Sequence, residues 1–190
     1  MLLEAAGLPP AFPQHELEED ELKPYVDAVR AILNQHEPYP AAALDERGKV
    51  YFANDAYRRL LPGAESRTAE EAIDTYYGNF GPSSIENWSE VAWAQVARRM
   101  QRANQLADST LLALVDRATA HLRDVPKPAL SDESPAPVVC TRFRIDGQCI
   151  ETFSTVVRFE MSHDITVNEL RIEMIFPVTA DGAEFFRRRR

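Results

Sequence analysis

The sequence predicts an α+β domain: a five-stranded antiparallel sheet with a block of helices inserted between its second and third strands. Three observations carry this. Two short apolar segments meet at Glu46-Arg47-Gly48-Lys49 and read as a hairpin, with Gly48 free to take a positive φ. The stretch from Thr68 to Val125 repeats its apolar residues at helical spacing. The last third turns to three strand-like segments separated by turn residues.

Residues 1–20 read as a linker, with Pro9-Pro10 and Pro13 followed by the acidic run Glu16–Glu21. A helix is expected over 21–35, where Leu22, Val26, Val29 and Leu33 form one stripe beside Tyr25 and Ile32; Pro24 sits in its first turn, and Pro38 and Pro40 end it. After the hairpin, Asn54 is placed to cap a helix through Leu61. Thr68 and Glu71 fit a capping box for a short helix to about Tyr77, which Gly78-Asn-Phe-Gly-Pro82 breaks. A long helix over about 84–107 places Trp88, Ala92, Val96 and Met100 at spacing four, with Ile85 and Trp93 beside them. Asp108-Ser109 opens another, with stripe Leu111, Val115, Ala118 and Leu122. A proline- and serine-rich loop runs from Pro126 to Pro137. Strands follow over 138–145, 148–159 and 165–176. The last alternates cleanly, so Leu170, Ile172, Met174 and Phe176 are expected on a buried inner face and Glu169, Arg171 and Glu173 in water. The middle strand switches parity between Ile150 and Phe153, which a bulge near 152–155 would repair. Residues 179–190, ending in Arg187–Arg190, read as a solvated tail. Two strands, helices, then three strands is the order of PAS-type sensor domains.

Composition excludes several functions. The 190 residues are 45% hydrophobic, enough for one sizeable core, and the formal net charge of −9 repels phosphate, so the chain alone is not expected to bind nucleic acid. No apolar run approaches the ~20 residues that span a bilayer. Without a basic, apolar leader, a cytoplasmic location is the default. Cys140 and Cys149 flank the turn at Asp146-Gly147; pairing across it sets Cys149 opposite Arg144 and leaves the two sulfurs too far apart to bond. Ser162-His163-Asp164 holds three triad residue types, but adjacent residues do not converge on one reacting atom, and a turn explains them. His15, His36, His121 and His163 are scattered, so neither a metal site nor an enzyme is expected; His121 as a haem ligand is weaker than its surface reading.

Several blocks in order resemble the MmyB-like ligand-binding domain found behind the helix-turn-helix of Xre-type bacterial transcription regulators. They are Leu2-Leu-Glu-Ala-Ala-Gly-Leu8, His36-Glu-Pro-Tyr-Pro-Ala41, Asn54-Asp-Ala56, Asn87-Trp88, Phe153-Ser-Thr-Val-Val157, and Asp164-Ile-Thr-Val-Asn-Glu-Leu-Arg-Ile-Glu173 with Phe176-Pro177. One departure is Phe159-Glu-Met-Ser-His-Asp164, where members often carry a Phe-Gly-Thr-like turn. The resemblance implies a PAS-like sensor over 21–178 that takes a small apolar ligand, fatty acids being the known type. It also implies an attached DNA-binding domain, absent from this chain, through which alone DNA is contacted. No cofactor is expected beyond such a ligand.

The residues themselves suggest where the ligand sits. A cavity between the sheet and the two long helices is expected, walled by Leu44, Phe52, Trp88, Ala92, Val96, Met100, Leu111, Val115, Phe153, Leu170, Ile172 and Met174. Arg99 is a candidate anchor for a carboxylate head, as are Arg98 and Arg142, with Asn54 and Asn87 milder ones. The competing reading is a PAS-like interaction module whose core is filled by its own side chains and whose helix 21–35 makes it a homodimer.

Overall fold

The structure, a computed structural model, describes residues 20–128, 139–159 and 170–189. Most of the expected linker, the centre of the proline-rich loop, the start of the last strand and Ser162-His163-Asp164 lie outside the described residues.

After a 3-10 turn over Asp20–Leu22, helix α1 covers Lys23–Gln35. Strands β1 (Ala41–Leu44) and β2 (Val50–Ala53) form the first hairpin, in which Gly48 has φ +91°. Helix α2 (Asp55–Leu60) follows directly, and α3 (Ala69–Thr75) opens on the complete Thr68/Glu71 capping box. The expected break at Gly78 is instead a π-turn over Tyr76–Phe80 that runs into the single helical turn α4 (Gly81–Ser84). The long helices are α5 (Trp88–Leu106) and α6 (Ser109–His121), the latter capped by the Asp108 carboxylate. Strands β3 (Thr141–Ile145), β4 (Gln148–Arg158) and β5 (Arg171–Pro177) complete the sheet, whose order is β2-β1-β5-β4-β3 with every neighbour antiparallel. This is the α+β, PAS-like order.

Directly opposed residues of an antiparallel pair share a face, so register assigns each side chain to a layer. Ala41 opposes Met174 and Ala43 opposes Ile172; these residues, with Phe52, pack under Val29 and Leu33 of α1. The other face carries Ala42, Leu44, Arg171, Glu173, Ile175 and Phe143, and Phe143 and Ile175 join the core of the helical block. Both faces are therefore covered, and β1 is buried at all four residues.

The expected inner face is reversed. Ile172 and Met174 do not face the helical block; their strand turns them toward α1, and Arg171, Glu173 and Ile175 face the block. The α1 stripe is likewise occupied: Val26, Val29 and Leu33 are buried within the domain, so it is not free to dimerise the protein.

Three further differences follow from packing. β4 keeps uniform registers with β3 and β5, and needs no bulge because apolar groups cover it on both faces at Ile150 and Phe153; the irregularity lies in β1, between Ala43 and Leu44. The long helix starts at Trp88, not Ser84. Glu86 N–H bonds the Arg142 carbonyl at 2.8 Å, and Asn87 accepts from Arg142 N–H and donates to the Cys140 carbonyl, fastening this segment to β3. Finally, residues 180–188 are no solvated tail. Thr179 caps helix α7 (Ala180–Arg188), Gly182 rests on Pro177 and Ile150, and Phe186 is buried edge-on to Tyr39.

Candidate functional site

In the space between the helical block and the covered face of the sheet, polar side chains come from both layers. From the sheet come Arg171 and Glu173; from the helices come Tyr57, Tyr76, Tyr77, Gln95 and Arg99. The Gln95 side-chain amide donates to the Tyr76 hydroxyl at 2.9 Å, and the Tyr77 hydroxyl reaches Gln95 Oε1 at 3.4 Å. Burial pushes up the ionisation of both Tyr57 and Tyr76, and the negative charge of Glu173 pushes it further. Burial also raises that of Tyr77, against the opposing charge of Arg99. Yet Tyr57, Tyr76, Gln95, Arg99, Arg171 and Glu173 are each only part-buried. These groups form a part-buried polar layer between the helical block and the sheet.

Two buried donors here find no acceptor among the described residues: the indole N–H of Trp88 and the Nε–H of Arg171. An unpaired buried donor costs about 1–3 kcal/mol, and native proteins keep few of them. Trp88 packs against Tyr76 and Tyr77 with ring centroids 5.6 Å away in each case, so its ring is fixed while its N–H is free.

At one end of the gap, the hairpin tip places Glu46 among arginines. Its Oε1 accepts from Arg158 at 2.7 Å and from Arg102 at 2.9 Å, while Arg171 Nη1 stands 3.8 Å from Oε2. Burial works against the Glu46 charge, but the Arg158 and Arg102 hydrogen bonds prevail and hold its carboxyl below the usual range. Burial also lowers the Arg171 guanidinium, with Glu173 and Glu46 opposing that effect and the positive charges of Arg99 and Arg158 adding to it.

Other concavities lie elsewhere. A crevice of about 20 Å3 sits beside Leu60, Ile145 and Phe186. A shallow open depression of about 700 Å3 runs along Asp74, Gly78, Arg117 and His121, where Asp74 accepts from Arg117 Nε at 2.7 Å and pairs with His121 at 2.9 Å.

A family model described as the MmyB-like transcription regulator ligand binding domain matches residues 26–188. The chain belongs to this family. No curated protein sequence matches the MmyB-like domain described here. Among solved structures it is similar to the PAS domain from Bordetella pertussis BvgS, at 15% identity and a TM-score of 0.41, over 87% of this chain and 93% of that one. Among the described residues of the MmyB-like domain, no helix is long and apolar enough to cross a membrane.

The structure divides the residues singled out from sequence. Leu44, Trp88, Ala92, Val96, Arg99 and Met100 lie on the helical-block side of the sheet, in β1 and α5. Leu111 and Val115 are fully buried in α6, which packs on α3 and α5. Leu170 is buried just before β5. Phe52, Phe153, Ile172 and Met174 belong to the opposite face, where Phe153 stacks on Phe176 at 5.3 Å and Arg30 lies over Phe52. Asn54 is structural: all its polar atoms are engaged with Ala41, Tyr57, Leu33 and Tyr39. Of the other proposed anchors, Arg142 pairs with Glu86 at 3.8 Å, and Arg99 lies against the hairpin at Gly48, reaching the Arg47 carbonyl at 3.4 Å.

Sequence reasoning missed Glu46, Tyr57, Tyr76, Tyr77, Gln95, Arg171 and Glu173. One signal could have found the last two. Ala41-Ala42-Ala43-Leu44 is apolar at every position, the mark of a strand covered on both faces, so the charged face of its neighbour β5 lies under a covering layer too.

Proposed function

We propose that this domain is the ligand-sensing part of a cytoplasmic bacterial transcription regulator. It takes a small amphipathic molecule, a fatty acid being the leading candidate, into the gap between α5 and the sheet. It reaches DNA only through an attached helix-turn-helix domain. The observation that carries this reading is the pair of buried donors with no acceptor among the described residues, Trp88 Nε1 and Arg171 Nε. A protein leaves such groups unsatisfied where something else is meant to satisfy them. Family membership supports the same reading. An acyl chain would join the apolar cluster of Trp88, Tyr76, Phe80 and Ile175, each buried methylene contributing ~0.8 kcal/mol.

A second reading, an interaction module with a filled core, draws on Ala92, which is wholly buried within the core cluster of the helical block at the centre of the expected cavity. Thermal denaturation with saturated fatty acids of increasing length separates the two. A ligand at 100 times its dissociation constant stabilises the folded state by ~2.7 kcal/mol, a rise of several degrees. A flat melting temperature across the whole series, with no lipid in an organic extract of the purified protein, favours the module.

A further inference from the structure

Four guanidinium groups, Arg99, Arg102, Arg158 and Arg171, crowd one end of the gap, and two carboxylates, Glu46 and Glu173, answer them. In a chain of net charge −9 this is a local excess of positive charge. The pairing is also uneven. Glu46 accepts its short hydrogen bonds from Arg102 and Arg158, and stands 3.8 Å from Arg171 Nη1, beyond hydrogen-bond length. Arg171 Nε–H is buried and finds no acceptor among the described residues. A guanidinium binds a carboxylate best through two parallel N–H groups, and the Nε edge of Arg171 is a place for such a pair.

Resting on the reading of the gap as the ligand site, we propose that Arg171, assisted by Arg158 and Arg102, anchors the anionic head of a carboxylic acid ligand. Glu46, at the tip of the β1–β2 hairpin, is the domain's own carboxylate in that place and competes with the ligand for the arginines. Glu46 ties the hairpin to α5 through Arg102 and to β4 through Arg158, so a ligand that takes over these arginines loosens the hairpin from both.

The test compares laurate with dodecanol, equal in chain length and different in charge, by titration calorimetry on the whole chain. Wild type should bind laurate ~10-fold or more tighter than dodecanol, the worth of a charge-assisted hydrogen-bonded pair. Arg171→Met should weaken laurate by ~10-fold or more and leave dodecanol within about 2-fold, with Arg171→Lys between. Glu46→Gln should act in the opposite sense and tighten laurate ~3-fold or more, by removing the competitor. If wild type binds neither lipid, the function reading itself falls. If it binds both equally and Arg171→Met changes nothing, the anchor falls and the lipid site stands. If Arg171→Met fails to fold, as judged by circular dichroism, Glu46→Gln decides: unchanged or weaker laurate binding overturns the proposal.

Discussion

Replacing Asn54 by alanine should be among the most damaging single changes in this domain that touch no ligand. Its Oδ1 accepts from Ala41 N–H at 3.0 Å and from Tyr57 N–H at 2.9 Å, and its Nδ2 donates to the carbonyls of Tyr39 at 2.8 Å and Leu33 at 3.2 Å. One side chain thus ties the end of α1, the start of β1 and the first turn of α2. Alanine strands these groups unequally. The Leu33 carbonyl retains the His36 N–H, so its loss is small. Ala41 is wholly buried, and its orphaned N–H costs about 1–3 kcal/mol. Loss of the helix cap at Tyr57 adds ~1 kcal/mol, and the part-buried Tyr39 carbonyl ~0.5–1 kcal/mol. The total, about 3–5 kcal/mol, is a large share of the 5–15 kcal/mol by which domains are usually stable. Asn54→Ser retains the cap alone and should recover ~1 kcal/mol of that. Urea denaturation measures both, read as a shift of midpoint at constant slope. If Asn54→Ala costs less than ~1.5 kcal/mol and Asn54→Ser restores all of it, Asn54 is a helix cap only and the three-element tie is refuted.

Phe186→Ala should lower stability by about 3–5 kcal/mol, because Phe186 is a buried core residue rather than part of a tail; a loss under ~1 kcal/mol in the same denaturation series would return 179–190 to solvent. Gly81→Ala should destabilise by about 1–3 kcal/mol despite a helical φ of −57°, since the added methyl collides with the Trp88 ring; Trp88→Leu in the same chain should make the glycine substitution nearly neutral, and additive losses would argue against that contact. His36 is buried with its Nε2 3.0 Å from the Ile175 carbonyl, and burial lowers its pKa despite that bond and the nearby Glu37. Its folded pKa lies below the unfolded value near ~6.5, so the unfolded chain binds the extra proton first, and the stability His36 supports is present above that pH and falls as pH drops toward the folded pKa. Midpoints compared between pH 7 and 5 should fall more in wild type than in His36→Gln, and equal slopes would contradict the assignment.

Much of this fold was legible because its turns and caps are written in local chemistry. Gly48, Asn54, the Thr68/Glu71 box, Asp108 and the Asp146-Gly147 turn all act where the sequence put them, the last with φ of +49° and +76°. What stayed hidden depended on what covers what. The alternation of β5 gives two faces but does not say which layer each meets, and a polar face reads as wet by default. Here α1 claims the apolar side through Val29 and Leu33, so Arg171 and Glu173 turn inward under α5. That one exchange of faces moved Phe52, Phe153, Ile172 and Met174 out of the expected site. The basic run from Arg187 similarly masked Phe186, whose partner Tyr39 lies far away in sequence.

The proposed sensing requires ligand to enter beside Trp88, and the chain's two tryptophans give an internal control. Trp88 Nε1–H is buried with no acceptor among the described residues, whereas Trp93 Nε1–H donates to the Val125 carbonyl at 3.1 Å. The most direct measurement is the pair of indole N–H resonances in a proton–nitrogen correlation spectrum, assigned with Trp93→Phe, as laurate is added. A saturable shift of the Trp88 resonance with Trp93 little changed is the predicted result. A Trp88 resonance that stays in place while laurate binds, or that never moves at any concentration, would contradict it.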